Sequence, residues 1–190
     1  MRAKAEFDAT ISKVSDPARR IATFGAMLAK DSGLGSRLVI AGGSAITVYS
    51  HGQFTSEDVD VVGERSRISP VLKRWGFRLE EGEDGRPYWR RDDLGLLVDI
   101  IHRSESSGSG RSGVPRTFKT TEGPVRASAV EDLVVRRLVF WSRSGKSSLL
   151  EQAVLLFAEN RDEIDLDYLE GEVKYEGVEE AYRELRERAG

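Results

Sequence analysis

The stretch Leu38–Val62, LVIAGGSAITVYSHGQFTSEDVDVV, constrains this chain more than any other. Leu38, Val39, Ile40 and Ala41 form a continuous apolar run that ends at glycines, the pattern of a strand buried on both faces. Gly42 and Gly43 permit a sharp turn and a close approach of a ligand to the backbone, and a short helix is predicted from Ala45. Ser44 has two readings, as the cap of that helix or as a hydroxyl that bonds a phosphate oxygen. A helix N-terminus with free N–H groups attracts anions. A second predicted strand carries Asp58 and Asp60 among Val59, Val61 and Val62.

Side chains alternate along a strand, so Asp58 and Asp60 share one face while Val59 and Val61 share the other. Two adjacent carboxylates repel each other unless a cation lies between them, and aspartate runs against strand propensity. The plain alternative is a pair of strand-end aspartates facing solvent. Hard divalent ions such as Mg2+ or Mn2+ take carboxylate oxygens and leave positions open for substrate phosphates. A phosphate-cradling turn one short helix away from an Asp-x-Asp pair is the arrangement that metal-assisted phosphoryl or nucleotidyl transfer requires.

Gly42-Gly43-Ser44, a spacer, and Thr55-Ser56-Glu57-Asp58-Val59-Asp60 resemble the signature of the polymerase-beta-type nucleotidyltransferase superfamily, in its small prokaryotic GGSA branch that includes AbiEii-like toxins. The resemblance covers roughly residues 36–157. It implies a third carboxylate on a neighbouring strand, which Asp99 in Leu96-Leu97-Val98-Asp99-Ile100-Ile101 supplies; otherwise Asp99 needs an arginine partner. It further implies that Asp58 and Asp60 hold the metal ions, and that Asp99 shares the ion that activates the attacking hydroxyl and accepts the proton. Glu131-Asp132-Leu133 followed by Arg136 and Arg137 is similar to a Glu-Asp-Leu helix with a basic residue one turn on. The implied site is then Asp58, Asp60 and Asp99 as catalytic and metal-binding residues, with Gly42, Gly43, Ser44, Arg137 and Lys146 binding the nucleotide. Relatives often carry Lys-Asp and a further Asp in the next helix, whereas here Lys146 precedes Ser147-Ser148-Leu149-Leu150-Glu151.

A chain of 190 residues with 39% hydrophobic content suits a catalytic core over residues 1–127 and a helical subdomain over 128–190. The net charge of -3 gives no general positive field, so any polynucleotide contact has to be local. With no cysteine there are no disulfides, thiolate metal sites or cysteine nucleophiles, and two distant histidines argue against zinc. The N-terminal MRAKAEFDATISK lacks the apolar centre of a signal peptide, and no apolar run approaches the ~20 residues of a membrane span. A cytoplasmic protein with no membrane partner is expected.

Along the chain, residues 3–30 read as one or two helices, with Asp16-Pro17 marking a start. Ser69-Pro70 lies near the beginning of a predicted helix that ends at about Trp75. Residues 77–80 are predicted to pair with 88–90 in a hairpin around the solvated acidic turn Glu80–Gly85. Residues 104–113, SESSGSGRSG, read as a surface loop near the site rather than a phosphate-binding glycine loop. Short extended pieces around Phe118 and Val125 follow, then a capping box Ser128–Glu131 opens a helix to Trp141. Helices over 146–159, from Ile164, and over 178–188 complete the chain. His51 reads as a bystander, and His102, three residues beyond Asp99, is the histidine to test.

The predicted fold is α/β (α+β), a small mixed sheet flanked by helices with a helical C-terminal part. The predicted activity moves NMP from an NTP to a hydroxyl of RNA, tRNA included, or of protein, with Mg2+ or Mn2+, in a toxin or antitoxin setting. The rival from another class is a non-catalytic nucleotide-binding or partner-binding module of the same fold.

Overall fold

The computed structural model describes residues 2–101 and 112–190. The readings of His102 and of residues 104–111 lie outside them. The elements are α1 (Lys4–Ile11), α2 (Pro17–Asp31), β1 (Val39–Ile40), α3 (Gly42–Tyr49), β2 (Asp58–Val62), α4 (Arg65–Arg74), β3 (Arg78–Glu81), β4 (Pro87–Arg91) and β5 (Leu96–Ile101). There follow β6 (Arg116–Thr120), β7 (Gly123–Ala127), α5 (Val130–Ser144), α6 (Ser147–Glu159), α7 (Leu166–Glu176) and α8 (Glu179–Ala189). The chain forms two compact units, Met1–Arg103 with Thr117–Ala127, and Ser104–Arg116 with Ser128–Gly190.

The first unit is α/β. Its seven-stranded sheet has the order β3-β4-β5-β2-β1-β7-β6 and is mixed. β2 runs parallel to β5 and β1 parallel to β7, while β1–β2, β3–β4 and β4–β5 are antiparallel. The expected hairpin is present, with Leu79 opposite Trp89. α2 starts where the sequence places it: the Asp16 carboxylate accepts the Arg19 N–H at 2.7 Å, and Pro17 occupies the first turn. Gly25 lies inside α2 because a Cβ there would sit 2.7 Å from Ile40 Cδ1 and 2.8 Å from Val125 Cγ2, so its absence lets helix and sheet approach. Phe7 of α1 stacks on Trp75 at 4.2 Å, with Phe24 and Phe77 packed edge-on around them. Burying each such ring stabilises the fold by roughly 1.5–3 kcal/mol.

α4 corrects the sequence reading. It begins at Arg65, so Pro70 lies inside it rather than in its first turn. The ring removes the N–H that would bond the Ser66 carbonyl, a cost offset by the full burial of Ile68, Val71, Leu72 and Trp75.

The second unit is helical, α5 to α8, around Leu133, Val134, Leu138, Leu150, Leu156, Phe157, Leu169 and Leu185. The predicted capping box is absent: Ala129 takes the cap position, and the buried Glu131 carboxylate accepts the Asp165 N–H at 2.9 Å, tying the start of α7 to α5. Asp132 accepts the Tyr168 hydroxyl at 2.7 Å and the Gly113 N–H at 3.1 Å. Burial pushes the Asp132 carboxyl up, and those two donors hold it back. No helix among the described residues is long and apolar enough to cross a membrane.

Candidate active site

β1 is only two residues long because the chain enters α3 immediately after Ala41. The helix therefore opens at Gly42, three residues earlier than expected, and Ala41 rather than Ser44 is its cap residue. Ser44 is fully buried and does a different job. Its hydroxyl donates to the Asp58 carbonyl at 2.7 Å and accepts the Asp60 N–H at 3.0 Å, locking β2 to the start of α3.

The two glycines make room for the carboxylates. Gly42 has φ of 53°, and a Cβ on it would lie 1.9 Å from Asp60 Oδ2. A Cβ on Gly43 would meet Ser56 Oγ at 2.6 Å. Freed of those clashes, the Gly43 N–H donates to Asp60 Oδ2 at 3.1 Å, so the helix N-terminus binds the protein's own carboxylate. Ser56 Oγ donates to Asp58 Oδ1 at 2.7 Å, and the Ser56 N–H donates to Thr47 Oγ1 at 3.0 Å. Both aspartates of the pair are thus oriented by short-range donors from α3 and from the loop before β2.

The third carboxylate arrives by strand register. β5 pairs with β2 in parallel, with Asp60 opposite Asp99. Val59, Val61, Val98 and Ile100 are buried on one face, and Asp58, Asp60 and Asp99 stand half-buried on the other. Carboxylate oxygens of the three lie within 4.8 Å of one another. Burial pushes the Asp99 carboxyl above its ordinary value and the Asp58 charge adds to the push, while Arg65 and Arg86 pull it back. A cavity of about 240 Å³ opens beside the group, lined by Asp58, Asp84, Arg86, Tyr88, Leu97 and Asp99. The donor set is all oxygen, which suits a hard divalent cation such as Mg2+ or Mn2+.

No family description matches the chain, and no curated protein is similar to it in sequence. Solved structures are similar in fold. An antigenic nucleotidyltransferase-like protein from Paracoccidioides brasiliensis superposes with a TM-score of 0.55 at 16% identity, over 75% of this chain and 76% of that one. The antibiotic-resistance factor ANT(2'')-Ia superposes with a TM-score of 0.53 at 16% identity, over 92% of this chain and 100% of that one. The same factor, in complex with adenylyl-2''-tobramycin, gives a TM-score of 0.51 at 18% identity over 88% and 97%. The chain has a nucleotidyltransferase fold.

Within this nucleotidyltransferase fold, six of the residues singled out from sequence, Gly42, Gly43, Ser44, Asp58, Asp60 and Asp99, meet in the first unit. Arg137 and Lys146 belong to the helical unit. Arg137 lies on α5 and its Nε donates to Gln152 Oε1 at 2.6 Å, and Lys146 is exposed at the cap position of α6. Sequence reasoning missed Ser56, which orients Asp58, although it lay inside the quoted motif. It also set aside the acidic turn after β3, whose Asp84 lines the cavity beside Asp99, and did not single out Arg86, which lines it too.

Proposed function

We propose that this protein is a divalent-metal-dependent nucleotidyltransferase that moves an NMP group from an NTP to an acceptor hydroxyl. The observation that carries this reading is the parallel register of β2 and β5, which sets Asp99 beside Asp60 and brings three carboxylates together next to a helix N-terminus. Asp58, Asp60 and Asp99 would hold the cation, which would neutralise charge on the triphosphate and lower the barrier to displacement. The acceptor oxygen bonds to the α-phosphorus, the bond to the pyrophosphate leaving group breaks, and Asp99 receives the hydroxyl proton. Gly42 and Gly43 keep the backbone low enough for phosphates to approach. Arg137 and Lys146 are proposed contacts for nucleotide phosphates.

The sequence reading favours RNA or protein as acceptor, in the toxin-like GGSA branch. A small hydroxylated molecule is the second reading, favoured by the 240 Å³ cavity at Asp58 and Asp99 and by the adenylylated tobramycin bound to ANT(2'')-Ia. The test supplies each of four α-labelled NTPs with Mg2+ or Mn2+ to the full chain, with total RNA, cell-lysate protein or tobramycin as acceptor. Label on one acceptor class that disappears in Asp58→Asn/Asp60→Asn supports the reading and identifies the acceptor. Nucleotide binding with no label on any acceptor replaces it with the non-catalytic module.

A further inference from the structure

The sheet of the first unit ends at β3, which pairs with β4 on one side and, among the described residues, with no strand on the other. The phase of the hairpin decides what that edge offers. Gly82 donates its N–H to the Arg86 carbonyl at 2.9 Å, and in an antiparallel ladder residues bonded inward alternate with residues whose backbone groups point outward. Gly82, Glu80 and Arg78 therefore bond towards β4, whereas Leu79 and Glu81 turn their N–H and C=O groups to the open side. Phe77, in the same phase as Leu79, sends its N–H away from β4 to the Leu72 carbonyl at 3.0 Å. Leu79 is 56% exposed, although Trp89 opposite it on β4 is buried. An exposed edge with an apolar side chain and outward ladder groups is a template for another strand.

The order of the side chains selects that strand. A two-fold axis normal to the sheet keeps every side chain on its own face, so two copies of β3 pair antiparallel only in registers that oppose residues of one face. The register centred on Leu79 sets Leu79 against its own copy as a hydrogen-bonded pair. It also sets Arg78 of each copy against Glu80 of the other, opposite charges on both sides of the axis. Both groups have capacity for it. Arg78 donates through Nη2 to Asp92 at 2.7 Å, and Glu80 accepts the Tyr88 hydroxyl through Oε2 at 3.0 Å. Among the described residues Arg78 Nε and Nη1 and Glu80 Oε1 make no hydrogen bond. β6, the strand at the other edge, carries Arg116 and Lys119 and no acid, so it has no such match with its own copy.

We propose that β3 is a dimerisation edge, at which two copies of this chain join their sheets antiparallel about Leu79, with Arg78–Glu80 ion pairs on either side of the two-fold axis. So short a strand makes a small interface, and a weak, reversible dimer is expected rather than an obligate one. The pairing does not depend on the proposed transfer reaction.

The test is sedimentation velocity of the full chain from about 1 µM to about 500 µM, with amide hydrogen exchange read by NMR over the same range. The expected result is a reversible monomer–dimer equilibrium in which the Leu79 amide exchanges more slowly as the dimer forms. The Arg78 and Glu80 amides, already bonded to β4, should change little. Arg78→Glu and Glu80→Arg should each weaken association by roughly ten-fold or more, because each sets like charges opposite one another on both sides of the axis. Mixed in equal amounts, the two variants should associate with each other at about the wild-type strength, since every charge then meets its opposite. Residues acting only within their own chain would give no such recovery. Monomer at every concentration, species larger than a dimer, a dimer that leaves Leu79 exchange unchanged, or folded variants that do not recover on mixing would overturn the proposal.

Discussion

Two places in the first unit take charge out of water, and they treat it in opposite ways. Arg91, 3% exposed at the end of β4, is satisfied on every side. Its Nη1 donates to Asp8 and to the Trp75 carbonyl, its Nε and Nη2 form a fork with Asp93 at 3.0 and 2.8 Å, and its Cζ lies 5.7 Å from the centre of the Phe7 ring. The Arg91 hydrogen bond holds the Asp8 carboxyl down at about 2. At Asp58, Asp60 and Asp99 the fold instead gathers like charges within 4.8 Å, and the Asp99 carboxyl moves up, by burial and by Asp58. A buried charge ringed by its opposites serves stability. A set of like charges held together by Gly43, Ser44 and Ser56 costs stability, a cost that a bound cation would offset.

Substitutions should separate the two regions. The largest effect is expected at the carboxylates: Asp58→Asn or Asp60→Asn should lower nucleotidyl transfer on the order of 10³-fold, measured as label incorporation, with the fold intact by circular dichroism. Gly42→Ala should come next. Its Cβ would collide with Asp60 and its φ of 53° disfavours alanine, so transfer should fall sharply and melting should come earlier. Arg91→Met should leave the carboxylate geometry alone yet cost about 2–3 kcal/mol in denaturant unfolding, from lost charged hydrogen bonds.

The pH dependence follows the sign of the Asp8 shift. A folded carboxyl near 2 against an unfolded one near ~3.9 contributes stability that is complete above the unfolded value and is lost as pH falls towards 2. Wild type and Asp8→Asn should therefore differ in melting temperature above about pH 4 and converge by about pH 2. The smallest effect is expected from Asp99→Asn in metal-free buffer. Removing one like charge should raise stability by less than about 1 kcal/mol, the reverse of Arg91→Met.

The parts of this architecture written in local pattern were legible. Alternation of Asp and Val exposed β2, an aspartate within an apolar run exposed β5, and Asp16-Pro17 gave the start of α2. Contacts set by distant partners were not. Gly42 reads as a turn residue, and only the position of Asp60, 18 residues on, shows that it is a helix residue with no room for a side chain. Arg91 and Asp8 are 83 residues apart, and nothing near either predicts the other. Ser128–Glu131 has the spacing of a capping box, but Glu131 is drawn to the Asp165 N–H across the helical unit. Pro70 suggested a helix start, and the burial of α4 outweighed it. Asp84 looked like a solvated turn residue because the hairpin that carries it, and Arg86 after it, to the cavity beside Asp99 is a tertiary fact.

The central claim is that the three carboxylates are held together to bind a divalent cation, and titration of the full chain with Mn2+ followed by electron paramagnetic resonance tests it most directly. The account predicts a saturable site in the wild type that is lost in Asp58→Asn and in Asp60→Asn and weakened in Asp99→Asn, with Arg91→Met unchanged. Mn2+ binding of equal strength in the wild type and the three aspartate variants, or no saturable site in any of them, would contradict it.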